Sequence, residues 1–248
     1  MALAHRGGAG TGKNVGVENT LAAFTDAHER GYRHLETDVR CSADGVVFTL
    51  HDESLQRVAG RAAGVHDLSA SDLDQVLIGG RETPPRLAEV YHRFPDTVLN
   101  IDVKSDDAVQ PTVSAIMAAG AVGRTCMASF SHRRLTRIRR LLPEVATSAS
   151  SLEVALIKLV PAPLLRLGRL RADCLQVPAR QGALTVVTRR FLARAHALGL
   201  PVHVWTVDDP AEMHRLLDLG VDGLVTDRTD LLATVLADRG TPLKESPR

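Results

Sequence analysis

Along this chain, short runs rich in β-branched and apolar residues alternate with longer stretches whose apolar positions recur at helical spacing. The short runs are LAHR near the start, then HLETDV, VVFTLH, VLNIDVK, TCMASF, VATSA, DCLQV, PVHVWTV and DGLVTD. The helical stretches cover 18–30, 86–93, 107–119, 131–141, 188–198, 210–219 and 229–238. Several open near Pro, Ser or Asp, and Gly31, Gly120, Gly199 and Gly220 read as stops. A strand that feeds a helix returns beside itself in the same direction, so the alternation predicts an α/β fold with a parallel sheet. About eight strand candidates favour a closed TIM (β/α)8 barrel over an open sheet. Residues 53–84, rich in Gly, Asp and Ser, are too long for an ordinary βα connection and read as an insertion after the second strand unit. GGAGTG has neither the spacing nor the strand-then-helix context of a dinucleotide fingerprint.

Composition refines this picture rather than changing it. The 248 residues, 44% hydrophobic and 24% charged, fit one barrel domain spanning 1–248. Lys and Arg number 30 against 29 for Asp and Glu, so the net charge of +1 gives no overall footprint for nucleic acid or an anionic membrane. Any charged partner has to be argued locally. Cys41, Cys126 and Cys174 are odd in number, widely spaced and without a CxxC, which indicates neither a disulfide framework nor a zinc site. Reduced thiols in a cytoplasm are expected. MALAHRGG has no apolar run of the secretory kind. No window approaches the ~18 uninterrupted apolar residues of a spanning helix. Even VALIKLVPAPLLRLGRLRA is broken by Lys158, two prolines and Arg166. The segment 150–172 is still apolar, with Lys158, Arg166, Arg169 and Arg171 interspersed. It reads first as a barrel helix plus a loop, and second as a lip that admits an acyl chain or makes a peripheral membrane contact.

Candidate chemistry comes from side chains that break the strand pattern. In LETDV, Glu36 and Asp38 share one face while Leu35, Thr37 and Val39 share the other. The apolar side should meet the helices, leaving two carboxylates about 7 Å apart in the barrel, a costly arrangement unless a cation lies between them. The same parity in LNIDVKS turns Asn100, Asp102 and Lys104 inward and supplies a third carboxylate. An oxygen-only set of Glu36, Asp38 and Asp102 suits Mg²⁺ or Ca²⁺ rather than zinc. His5 and His51 end LAHR and VVFTLH, where barrel strands deliver residues to the C-terminal face. With the guanidinium of Arg6 beside His5 and Lys104 on the inward face, the set fits a phosphate ester. Trp205 ends its strand with inward parity and reads as a ring stacked on substrate or as core packing. Asp208 reads first as a helix N-cap, with Pro210 near the first helical position, and second as a ligand contact; Asp227 likewise reads first as structural.

HRGG, ENTLAAF, ETDVRCSADGVVFTLHDESLQR, NIDVK and VWTVDDPAEMHRLLDLGVDGLVTD, in that order, resemble the signature of the glycerophosphodiester phosphodiesterases from His5 to about Leu232. The resemblance implies a TIM barrel carrying an insertion and a divalent-metal hydrolase that cleaves glycerophosphodiesters to sn-glycerol 3-phosphate and an alcohol. It implies His5 and His51 as general acid and base, here with His5 assigned as base and His51 as acid. It also implies Glu36, Asp38 and Asp102 as metal ligands, with Glu18, Arg6 and Lys104 positioning phosphate or glycerol. Asp102 departs from the pattern, which usually has Glu there, and resembles the sphingomyelinase D barrels in that respect. A lysophospholipase D or sphingomyelinase D-like activity is therefore the alternative. A barrel that binds phosphodiesters without turnover is the rival of another class, and the pair of titrating histidines weighs against it.

Overall fold

A computed structural model describes residues 1–160, 165 and 170–243. Its strands are β1 (Ala2–Ala4), β2 (His34–Cys41), β3 (Val47–Thr49), β4 (Val98–Val103), β5 (Thr125–Ala128), β6 (Ala146–Thr147), β7 (Leu175–Pro178), β8 (Arg180–Gln181), β9 (Leu184–Thr185), β10 (Val202–Trp205) and β11 (Gly223–Thr226). Eight of them run parallel in the order β6-β5-β4-β2-β1-β11-β10-β7. Ser148 pairs in parallel with Cys174, between β6 and β7, and closes that path into a TIM barrel. The first and last barrel strands in sequence are neighbours, with Ala2, Leu3 and Ala4 opposite Leu224, Val225 and Thr226. That pairing brings residues of the two ends of the sequence to one mouth.

The alternation read from sequence is what the wall uses. Leu35, Val39, Leu99, Ile101, Val103, Val202 and Val204 turn outward into the main core, against the helices. Each such side chain, fully buried, contributes ~1.5–3 kcal/mol. The helices fall where the periodicity placed them, with Leu87–Arg93, His132–Leu141, Arg189–Ala197, Pro210–Leu219 and Thr229–Asp238 packed outside the barrel. The first is shorter than the reading of 18–30: Thr20 caps Leu21–Glu29 by accepting from Ala23 N. Glu18 and Asn19 are thereby left in the loop that enters the site.

VVFTLH does not form a wall strand. Its core, β3, lies antiparallel on the end of β2, with Val39, Arg40 and Cys41 opposite Thr49, Phe48 and Val47. The hairpin turns back toward the C-terminal mouth, and Leu50 N donates to Asp38 O at 3.0 Å. His51 thus reaches the mouth from a hairpin. The chain then wraps a second apolar cluster of Phe48, Leu50, Leu55, Val65, Leu73 and Ile78 before rejoining the barrel at helix Leu87–Arg93. Within 150–172, residues 151–159 form a helix, whereas 161–164 and 166–169 lie outside the described residues.

Candidate active site

HRGG is dictated by close approach. Gly7 and Gly8 have φ of 84° and 82°, a region L side chains rarely adopt. A Cβ on Gly7 would fall 2.7 Å from Ala23 Cβ, and one on Gly8 2.6 Å from Thr229 Cγ2. Arg6 itself is left-handed, with φ 49° and ψ 30°, at a cost of order 1–3 kcal/mol. Several contacts offset that cost. Arg6 N donates to Glu36 Oε2 at 3.1 Å, Arg6 O accepts from Asn19 N at 2.9 Å, and Nη1 donates to Glu18 Oε1 at 3.0 Å. Its Nε lies 3.0 Å from Asp38 Oδ2, close enough for ion pairing but without hydrogen-bond alignment.

Three carboxylates converge inside the mouth. Asp38 and Asp102 sit opposite each other on β2 and β4, and Glu36 sits one inward step below Asp38. All three are buried, Asp38 to the point of 1% exposure. Lys104 Nζ bridges two of them, 2.8 Å from Asp38 Oδ1 and 2.6 Å from Asp102 Oδ2. Asn19 donates to Asp38 Oδ2 at 3.1 Å and is itself oriented by Thr37 Oγ1 at 2.7 Å. Burial would push Asp38 up, yet Lys104 and Arg6 outweigh it and hold the carboxyl below its usual range. Glu36 has no such bridge: burial, then repulsion from Asp38, pushes it up to about 7. Burial likewise raises Asp102 against the pull of Lys104.

Among the described residues, no three histidine, cysteine or carboxylate side chains are arranged to hold a metal ion. The donor set nevertheless fits a hard cation. It is all oxygen, and Asp102 Oδ1 is buried without a hydrogen-bond partner.

Each histidine carries a carboxylate on its Nδ1. His5 Nδ1 is 2.8 Å from Asp227 Oδ1, and its Nε2 is 3.8 Å from Glu36 Oε2. Burial would lower the His5 pKa, but Glu36 and Asp227 outweigh it and raise it. Asp227 is therefore a hydrogen-bond partner of His5. Asp208 is not the helix cap, since Asp209 accepts from Ala211 N at 3.1 Å. Asp208 instead accepts from Asp227 N at 2.8 Å and from Thr226 Oγ1 at 2.9 Å, fixing the turn that presents Asp227. His51 Nδ1 lies 2.6 Å from Asp52 Oδ1. Arg57 Nε donates to Asp52 Oδ2 at 2.6 Å, and its Nη1 and Nη2 both donate to Glu18 at 2.7 Å. A chain of charges thus runs from Arg6 through Glu18, Arg57 and Asp52 to His51.

The cavity above these groups is about 350 Å³ and has two halves. One is lined by His5, Arg6, Glu36, Asp38, His51, Asp102 and Lys104; the other by Phe130, Val154, Val177, Pro178, Val186 and Trp205. Glu18, placed among the site residues from sequence, does not line this cavity and is joined to it through its bond from Arg6. Trp205 lies in the wall, edge-to-face with Phe130 at 5.7 Å between ring centroids. Phe130 stands two residues past the end of β5, and Asn100 and Gln176, which also line the cavity, are joined by a 2.7 Å hydrogen bond.

The profile of the Glycerophosphoryl diester phosphodiesterase family matches residues 5–231. A Probable glycerophosphodiester phosphodiesterase 2 from Mycobacterium tuberculosis is 39% identical over 246 residues, covering 97% of this chain and 92% of that protein. A lysophospholipase D from Rattus norvegicus is 26% identical over 262 residues, covering 91% and 82% respectively. The crystal structure of glycerophosphodiester phosphodiesterase from Agrobacterium tumefaciens superposes with a TM-score of 0.76 at 25% identity, covering 94% of this chain and 98% of that one.

Proposed function

This chain belongs to the glycerophosphoryl diester phosphodiesterase family, and we propose that it hydrolyses glycerophosphodiesters to sn-glycerol 3-phosphate and an alcohol through His5 and His51. The observation that carries the reading is the pair of imidazoles, each with its Nδ1 engaged by a carboxylate, flanking a buried cluster of Glu36, Asp38 and Asp102. A carboxylate accepts only, so Nδ1 bears the proton and Nε2 is the atom that exchanges one. His5 Nε2 takes a proton from the nucleophile, which is either water, giving glycerol 3-phosphate directly, or the neighbouring glycerol hydroxyl, giving a cyclic phosphate that water then opens to glycerol 3-phosphate. His51 Nε2 gives one to the leaving alcohol. Arg6 and Lys104 neutralise charge growing on the phosphate oxygens, an effect worth several kcal/mol when the charges are held in place before the reaction.

Glu36, Asp38 and Asp102 would hold one divalent cation, Mg²⁺ or Ca²⁺, which when bound adds Lewis-acid polarisation of a phosphoryl oxygen. Lys104 has to release at least one carboxylate for that, and its flexible stem allows the ammonium to swing toward substrate. Trp205 packs against the glycerol or the departing group. The reading is tested by release of glycerol 3-phosphate from glycerophosphocholine and glycerophosphoethanolamine with Mg²⁺, Ca²⁺ or EDTA, for the wild-type chain and His5→Ala. Metal-dependent release lost in His5→Ala is expected. Undiminished release in EDTA removes the metal, and undiminished release by His5→Ala removes the histidine.

The apolar half of the cavity supports a second reading, in which the substrate carries an acyl chain, as in a lysophospholipase D. Val154, Val177, Val186 and Trp205 offer that chain a wall without a charge. Lysophosphatidylcholine turned over faster than glycerophosphocholine would favour it, and the reverse order would end it.

A further inference from the structure

The net charge of +1 conceals a strong segregation on the outer wall. Helices His132–Leu141, Ser151–Leu159 and Arg189–Ala197 stand side by side and carry nine Arg or Lys against one carboxylate. That carboxylate, Glu153, is buried and already taken by Arg139 at 2.7 Å. Arg133, Arg137 and Arg140 are exposed at i, i+4 and i+7 on the first helix, and Arg189 and Arg190 are exposed on the third. Between them, the middle helix exposes Leu152, Leu156 and Leu159 at the same spacing, by 52%, 38% and 76%. Glu153 and Ile157 turn inward, so the leucines form the solvent face. The ridge continues at the mouth with Phe130 and Leu184, exposed by 61% and 55%.

We propose that this face docks the protein on an anionic lipid bilayer, with the leucines entering the headgroup boundary and the flanking arginines meeting lipid phosphates. A leucine stripe set between basic stripes is the arrangement that interfacial binding uses, since apolar burial and attraction to anionic lipid add together. A nucleic acid would account for the arginines and leave the leucines without a role. A lone apolar patch would account for the leucines and leave the segregated charge without one. The contact does not depend on the catalytic assignment, because none of the helix leucines and arginines named lines the cavity.

The test is sedimentation of the full chain with vesicles of phosphatidylcholine alone or mixed with phosphatidylglycerol, at low and high salt. Binding is expected only to the mixed vesicles, and weaker at high salt. Arg133→Gln/Arg140→Gln/Arg190→Gln should weaken it by on the order of fivefold per charge. Leu156→Ser/Leu159→Ser should weaken it as well, while hydrolysis of a short soluble diester stays unchanged in both variants and shows that they are folded. Equal binding to neutral and mixed vesicles overturns the proposal. So does binding indifferent to the leucines, or a self-association in sedimentation velocity that the leucine variant abolishes without any vesicle binding by the wild type.

Discussion

His5 Nδ1 and Asp227 Oδ1 lie 2.8 Å apart although 222 positions separate them in the chain. The closure of β1 onto β11 makes the contact, and Asp208 fixes the turn that carries Asp227. The pairing favours the tautomer with its proton on Nδ1 and, after the larger effects of burial and Glu36, contributes to the raised pKa of the imidazole.

Asp227→Asn removes a charge that raises the His5 pKa, so the pH limb belonging to His5 should move to lower pH. The rate should fall between roughly tenfold and a thousandfold, part of the roughly 10²–10⁴-fold that a positioned general acid or base contributes. Asp208→Ala should act in the same direction by less, because it loosens Asp227 without removing it. Profiles of kcat/KM against pH check this, and a limb left in place by Asp227→Asn would take Asp227 out of the mechanism.

Glu36 makes a statement about stability. Its carboxyl is pushed up to about 7 in the folded chain, against an ordinary value of 4.5. A folded pKa above the unfolded one means stability that is present below pH 4.5 and is lost as pH rises through about 7. The loss is about 3 kcal/mol at most. The elevated His5 acts with the same sign. Denaturant melts of chelated protein at pH 5 and pH 8 should therefore show wild type weaker at pH 8, and Glu36→Gln with much of that difference removed. Parallel behaviour of the two proteins would contradict the assignment.

What was legible in the sequence follows from which forces are local. Glu36, Asp38, Asn100 and Asp102 could be placed inward because strand parity is a property of consecutive residues, and parallel pairing preserved it. Helix limits were readable from periodicity and stop glycines. The direction of VVFTLH was not, since alternation is the same for a wall strand and for the antiparallel return that β3 makes. The helix cap falls on Asp209 rather than Asp208, and the partnership of Asp227 with His5 was not legible because barrel closure, not local sequence, brings them together. Asp52 stood beside His51 in sequence, but its hold on Nδ1 depended on Arg57, which arrives from the excursion after β3.

Arg57 separates orientation from stability. Its side chain is 51% exposed, so the bonds to Asp52 and Glu18 are surface ion pairs, worth about 0–1 kcal/mol. Arg57→Ala should leave Tm nearly unchanged. Asp52 then loses the guanidinium that aligns it, His51 loses a fixed ring orientation, and kcat should fall about tenfold or more with KM little altered. A drop in KM affinity alone, with kcat preserved, would show that Arg57 serves binding instead.

Lys104 occupies the oxygens that the proposed divalent cation would need. Its ammonium sits 2.8 Å from Asp38 and 2.6 Å from Asp102, so in the chelated protein it supplies the positive charge that the cluster needs. Lys104→Met strips that charge from two buried carboxylates and should destabilise the chelated chain by about 3–5 kcal/mol, the usual result of breaking a buried pair from one side. Mg²⁺ or Ca²⁺ should return more stability to this variant than to wild type, because binding no longer displaces an ammonium. Calorimetric titration should accordingly give a lower Kd for the metal in Lys104→Met, while kcat/KM falls because a phosphate neutraliser has gone. Tighter metal binding with poorer turnover is a combination that a merely structural lysine does not produce. If Lys104→Met binds the ion no better than wild type, then Asp38 and Asp102 are not where it binds, and the carboxylate cluster serves to position Lys104 and Arg6 alone.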